Sequence, residues 1–203
     1  MSTLLILGAG GHGRVVADAA QRQGRWRRIL ATDRDPSRCS GELLAGVPLM
    51  ALEAALLLDA ALHVAIGDAA ARQSETAALA PGRLATVIHP LASVSSHAQV
   101  GDGCFIAAQT VVGPRARLGS GVIVNHGAIV DHDACIGDFC HIAPRAVLGG
   151  GVRLGARVLV GTGASVLPGL QVCADAVIGA GAVVHRPVML AGVYAGLPAR
   201  KIG

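Results

Sequence analysis

Aromatic side chains are nearly missing from this chain, which has two Phe, one Trp and one Tyr in 203 residues. An ordinary core draws much of its buried area from such rings. This one has to be built from Val, Ile, Leu and Ala in thin, repeated layers. The same scarcity argues against nucleic-acid binding, which needs stacking platforms beside its cations. Lysine is almost absent too, with Lys201 the only one among 17 cations. The arginines are dispersed apart from Arg25, Arg27 and Arg28, which read as a solvated helix end. Charged residues make up only 15% of the chain. No apolar run reaches the roughly 18 residues of a membrane helix, because Glu53, Asp59 and His63 interrupt the longest one. No membrane insertion is expected. The start lacks the features of a signal peptide. The five cysteines include no C-x-x-C pair and no Cys/His metal spacing, so no metal is expected and the odd count suits a reducing compartment. A cytoplasmic protein is the expectation. Its net charge of +4 suits small anionic ligands.

What is present is a period. From Ile88, every sixth residue through Val184 is Val, Ile or Leu, with no slip of phase. The residue two before each is usually small, as at Cys104, Ala116, Ala128, Ala134, Cys140 and Ala146. Gly often follows the aliphatic, as at Gly113, Gly137, Gly155 and Gly161. Side chains two apart on a strand share a face, so the small residue and the aliphatic point inward together. Gly is expected to relieve the backbone at the turn. A chain that turns every six residues with one face inward winds into a three-sided solenoid. The pattern resembles the left-handed β-helix acyltransferases, and the left hand is implied by that resemblance. Pro187 breaks the pattern, so the remainder should cap the stack or run along it.

The N-terminal segment reads differently. Residues 3–7 (TLLIL) are a buried parallel strand, followed by Gly8-Ala-Gly-Gly-His-Gly13 and a helix over Val15–Gln23. A second strand over Arg28–Thr32 leads to Asp33, a helix covers Ala51–Leu58, and His63–Ile66 is a third strand ended by Gly67-Asp68. This is a small βαβαβ, Rossmann-like unit. Its Gly-rich turn lets a phosphate approach the helix N-terminus. Gly10, Gly11 and His12 are candidates for the diphosphate of a nucleotide-sugar. Asp33 is the candidate for ribose or base, and Gly67 and Asp68 sit at a strand's carboxyl end, where ligands bind in open sheets. About eighty residues are too few for a full dinucleotide fold, so a mononucleotide fits better than NAD.

LILGAGGHGRVVAD, the acidic residue after the second strand, VAIGD, and IHP introducing the hexapeptides together resemble the NeuD/PglD-type sugar O-/N-acetyltransferase family. The resemblance implies two domains, 1–85 for the nucleotide-sugar and 86–203 for acetyl transfer, in a homotrimer that binds acetyl-CoA between subunits. It implies surface-glycan biosynthesis, with a nucleotide-linked amino-sugar as acceptor.

The densest polar chemistry lies in Val124-Asn-His-Gly-Ala-Ile-Val-Asp-His-Asp133. Acetyl transfer needs a base to take a proton as an amine or hydroxyl attacks the thioester, and imidazole suits the task. His132 with Asp133 matches the family's catalytic His-Glu pair, with Asp one methylene shorter, and Asp131 is an alternative orienter. Asn125 matches a family active-site Asn. His141 matches a histidine on the thioester side, and a backbone amide near Gly150 would stabilise the oxyanion. Gly161, Thr162, Gly179 and Ala180 match the strip that lines the pantetheine arm, and Arg200 and Lys201 are candidates for the CoA phosphates. His126, His89, His97 and His185 read as exposed or structural. Still open are O-acetylation of a sugar hydroxyl, a non-catalytic nucleotide-sugar-binding protein, and an NAD-dependent oxidoreductase using the Gly-rich turn.

Overall fold

The computed structural model describes residues 3–79 and 82–202. The chain divides into two compact units, one ending at Pro90 and one beginning at Leu91. The first starts with β1 (Thr3–Leu7), α1 (Gly11–Gln23), β2 (Arg28–Thr32), β3 (Glu42–Leu44) and β4 (Val47–Pro48). It continues with α2 (Leu52–Leu56), β5 (Ala61–Val64) and α3 (Ala69–Ala77). β2, β1 and β5 form a parallel sheet in that order, with Leu5 opposite both Leu30 and Leu62. Those three leucines pack with Ala55 and Ala60 as a buried core.

Three boundaries differ from the sequence reading. α1 begins at Gly11 rather than Val15, so the second half of the Gly-rich segment is the helix's first turn. α2 covers only Leu52–Leu56, and β5 ends at Val64 rather than Ile66. The β5 end is fixed by Arg72, which is only 1% exposed and donates through Nη1 to the carbonyls of Ile66, Gly67 and Asp68. Carbonyls turned toward a guanidinium cannot continue a strand ladder.

The second unit is a parallel solenoid. One face stacks the strands beginning at Ser93, Val111, Ile129, Val147, Ser165 and Val183. A second stacks those beginning at Gln99, Arg117, Cys135, Arg153 and Gln171. A third carries those beginning at Phe105, Ile123, His141, Leu159 and Ala176, and ends in Gly192–Ala195 and the antiparallel Arg200–Ile202. The segment after Pro187 therefore runs along one face and closes its edge. Each residue pairs with the one eighteen later, as Val112 with Val130 and Ile142 with Val160. The inward aliphatics are buried: Ile106, Val124, Ile142, Val160 and Ile178 are 0% exposed on one face alone. Between the faces, Cys104, Ala116, Ala128, Ala134, Cys140 and Ala146 are also at 0%. This is the architecture expected: the α/β unit from the N-terminal segment, the solenoid from the six-residue ladder, and its left hand from the resemblance.

The expected role of glycine needs correction. Glycines that follow an aliphatic, such as Gly113 and Gly161, do not carry the turn's positive φ. A Cβ there would lie 2.7 Å from a backbone atom of the next coil, at His132 N and Ala180 N respectively. They are glycine because coils stack closely. The left-handed residue sits two places later at each corner, at Gly103, Gln109, Arg115, Gly121, Gly127, Asp133, Phe139, Arg145 and onward in steps of six.

Candidate active site

Catalytic candidates fall on two corners of the solenoid. The chain leaves the Ile129–Val130 strand, turns at Asp131-His-Asp133, and enters Cys135–Ile136. At this corner Asp131 Oδ1 accepts from the His132 backbone N–H at 2.7 Å. His132 Nδ1 lies 2.9 Å from Asp133 Oδ2. The shorter Asp still reaches the ring, because Asp133 is the left-handed corner residue, with φ 57°. The two sequence-level candidates thus separate: Asp133 orients the imidazole, and Asp131 fixes the backbone. With Nδ1–H donated to a carboxylate, Nε2 is the basic nitrogen. The hydrogen bond that His132 donates to Asp133, followed by the charge of Asp131, raises the His132 pKa above its ordinary value. His132 in turn holds the Asp133 carboxyl below the usual range.

Gly150 lies one coil on at the same corner. A Cβ there would fall 2.5 Å from His132 Nε2, so only glycine leaves room for the ring. Sequence reasoning missed Arg115. Its Nε lies 3.0 Å from Asp133 Oδ1, the oxygen that His132 does not use. Writing the chain in rows of eighteen sets Arg115 directly before Asp133, and that alignment could have found it.

The other candidates line the next corner round. Asn125 follows the Ile123–Val124 strand, and its Nδ2 lies 3.2 Å from His141 Nε2. An amide nitrogen only donates, so Nε2 of His141 is an acceptor. Asn125 Oδ1 accepts from the His126 backbone N–H at 2.9 Å. Gly161, Thr162, Gly179 and Ala180 lie at this same corner on the coils above. Within one chain the pairs His132–Asp133 and Asn125–His141 therefore border the two long edges of one face. The outward positions between them include Val111, Ile129, Val147 and Val183. Arg200 and Lys201 are exposed on the last strand.

In the first unit, the Gly-rich turn divides by task. A Cβ on Gly8 would sit 2.8 Å from the Ala65 carbonyl oxygen, and one on Gly13 would land on that of Gly8. Both glycines are needed for packing. Gly11 has nothing near its missing Cβ, and Gly10 has only Arg38 Nη1 at 3.9 Å. These two border a cleft of about 510 Å³, lined also by Arg14, Arg38 and Ser40. The sequence reading did not name Arg14 or Arg38; Arg14 lies a turn into α1, while Arg38 pairs with Asp35 at 3.5 Å, and Glu42 also lines the cleft. His12 is half-buried in the first turn of α1. Asp33 accepts from the backbone N–H groups of Ala9, at 2.7 Å, and Asp35, at 2.9 Å, and so ties the turn to β2. Asp68 caps α3 through the Ala71 N–H, and the Gly67 carbonyl is held by Arg72. These last two serve the loop rather than the cleft. Among the described residues no cluster of three or more His, Cys, Asp or Glu is placed to hold a metal ion, and no helix is long and apolar enough to cross a membrane.

Residues 3–79 match the PglD N-terminal domain family. The chain is similar to the acetyltransferase domain of PglB from Neisseria gonorrhoeae FA1090, with 35% identity and a TM-score of 0.91 over 100% of both chains. It is also similar to PerB from Caulobacter crescentus, a structure solved in complex with CoA and GDP-perosamine. That match has 34% identity and a TM-score of 0.90 over 100% of this chain and 98% of the other. WeeI from Acinetobacter baumannii AYE shares the fold at 23% identity, with a TM-score of 0.88 over 100% of both chains. With full-length identity above a third to the gonococcal domain and the family's N-terminal domain in place, the chain belongs to the NeuD/PglD-type sugar acetyltransferases.

Proposed function

We propose that this protein transfers an acetyl group from acetyl-CoA to the amine of a nucleotide-linked amino-sugar, in surface-glycan biosynthesis in the cytoplasm. The observation that carries the reading is the His132–Asp133 pair, with a raised imidazole pKa and the basic Nε2 set over Gly150. The sugar amine attacks the thioester carbonyl carbon while His132 Nε2 takes its proton. The oxyanion that forms is held by a backbone amide near Gly150. Collapse expels the CoA thiolate, which recovers the proton from His132 and leaves as the thiol. No acyl-enzyme is needed.

The nucleotide-sugar belongs to the first unit, where the cleft bordered by Gly10 and Gly11, with Arg14 and Arg38, suits a diphosphate, and His12 follows in the first turn of α1. Acetyl-CoA belongs to the solenoid, along Gly161, Thr162, Gly179 and Ala180, with Arg200 and Lys201 toward its phosphates. The two polar pairs stand at opposite edges of one face. A homotrimer would bring the His132 edge of one copy beside the Asn125–His141 edge of the next and complete the site. Purified protein should release CoA thiol with one of a panel of UDP-, GDP- and CMP-linked amino-sugars, and His132→Ala should lose about 10²–10⁴ in turnover. Release that proceeds only with hydroxyl acceptors would turn the reading to O-acetylation. None with any acceptor would remove the enzyme.

A further inference from the structure

Asp133 has two carboxylate oxygens with different partners. Oδ2 receives the His132 Nδ1–H at 2.9 Å, and Oδ1 faces Arg115 Nε at 3.0 Å. Arg115 is one coil earlier at the same corner, and both residues are in the left-handed conformation, with φ 62° and 57°. The backbone secures both ends: Arg115 N–H donates to the His97 carbonyl, and Asp133 N–H donates to that of Pro114. We infer that Arg115 is a positioning residue for His132, acting through Asp133.

The argument is geometric. Asp133 is 45% exposed at its side chain, and a carboxylate so open to water with one imidazole partner would rotate among hydrated rotamers. A second partner on the far oxygen fixes the carboxylate plane. The short Asp side chain makes this matter more than it would for a Glu, since fewer bonds can compensate for a rotation. Fixing Oδ2 fixes the ring, and fixing the ring sets Nε2 over the gap that Gly150 leaves.

The same eighteen-residue spacing recurs without a histidine. Arg157 grips both oxygens of Asp175 through Nε and Nη2, each at 2.7 Å. That pair staples two coils and uses the whole carboxylate. Arg115 takes only one oxygen and leaves the other to the imidazole. The two pairs therefore provide a matched comparison between a staple alone and a staple that orients a base.

This inference rests on the acetyl-transfer reading, and one set of variants separates the two. Arg115→Ala should lower kcat on the order of tenfold, less than the 10²–10⁴ of losing the base itself. KM for both substrates should stay unchanged, and Arg115→Lys should recover part of the loss. Placed on an Asp133→Ala background, Arg115→Ala should cost nothing more, because its effect passes through the missing carboxylate. Arg157→Ala, the control, should lower thermal stability at least as much as Arg115→Ala, since Arg157 holds both oxygens and is 31% exposed against 80% for Arg115, and should leave kcat alone. A normal kcat in Arg115→Ala, or a loss that persists undiminished on the Asp133→Ala background, overturns the inference while an inactive His132→Ala keeps the reading beneath it. A raised KM for the nucleotide-sugar also overturns it, since Arg115 would then be a substrate contact. A fully active His132→Ala chain overturns both.

Discussion

The reactive nitrogen of His132 is prepared by three neighbours, and each has a separable signature. Asp133 and Asp131 favour the imidazolium, so the ring's pKa stands above the ordinary imidazole value. A general base must be neutral, so kcat/KM should fall as pH drops through that raised pKa. Asp133→Asn should move this acid limb to lower pH, because the largest cause of the rise is gone, and a pH profile of kcat/KM reads it directly. Gly150 makes a steric contribution. Gly150→Ala should fold, since its φ is outside the left-handed region, yet displace the ring and reduce kcat by about 10-fold or more. The steady-state rate of the purified variant, beside its thermal midpoint, checks this. A second histidine is prepared in the opposite sense. His63 is buried, and desolvation, with Arg72 nearby, lowers its pKa to about 4, although Nδ1–H donates to the Ala85 carbonyl. Between about pH 6.5 and about pH 4 the unfolded chain binds a proton at this ring that the folded chain refuses. Stability present above that window should therefore fall by about 3 kcal/mol across it and then level off. Denaturant titrations at several pH values should show the slope in the native protein and lose it in His63→Asn.

At the scale of elements, the ladder of aliphatics was legible because a period repeated over a hundred residues leaves no second interpretation. Its inward faces and small companions stand where the spacing put them. The reason for the glycines was not legible. A sequence row does not show which atoms of the next coil lie overhead, so crowding at Gly113 and Gly161 was read as turn relief. The true turn positions escaped notice because Arg115, Asp133, Phe139 and Arg145 carry side chains at positive φ. In the α/β unit, the three strands were readable from the sequence, but the start of α1 was not. Gly11 and His12 look like turn residues, and a bare sequence gives no sign that they already make helix. The structural bond of Asp33 to Ala9 was not legible for a related reason: it joins residues twenty-four apart and depends on a tertiary approach. The same motif yields a paired test. Gly13→Ala should destabilise the first unit, because its methyl lands on the Gly8 carbonyl. Gly11→Ala has open space and should leave the unfolding free energy within about 1 kcal/mol while weakening nucleotide-sugar binding.

For the whole molecule, the decisive feature is that one chain holds the two polar pairs of the proposed site at different corners. His132 and Asp133 occupy one corner, Asn125 and His141 the next, and the face between them carries Val111, Ile129, Val147 and Val183. The resemblance already implied a site between subunits; what the sequence did not show is which corner each residue takes, because a coil of eighteen residues distributes the seventeen positions from Asn125 to His141 around the whole prism. In the proposed homotrimer, a second copy would bring the two pairs together. The most direct test mixes two inactive proteins, His132→Ala and the double variant Asn125→Ala/His141→Ala, by unfolding and refolding them together. In a cyclic trimer with random assortment, three-quarters of the particles are mixed and each mixed particle regains one intact site. Activity should therefore recover to about a quarter of the native value. Each variant refolded alone should stay inactive. A mixture that forms mixed trimers and stays as inactive as its parents would contradict a site shared between copies.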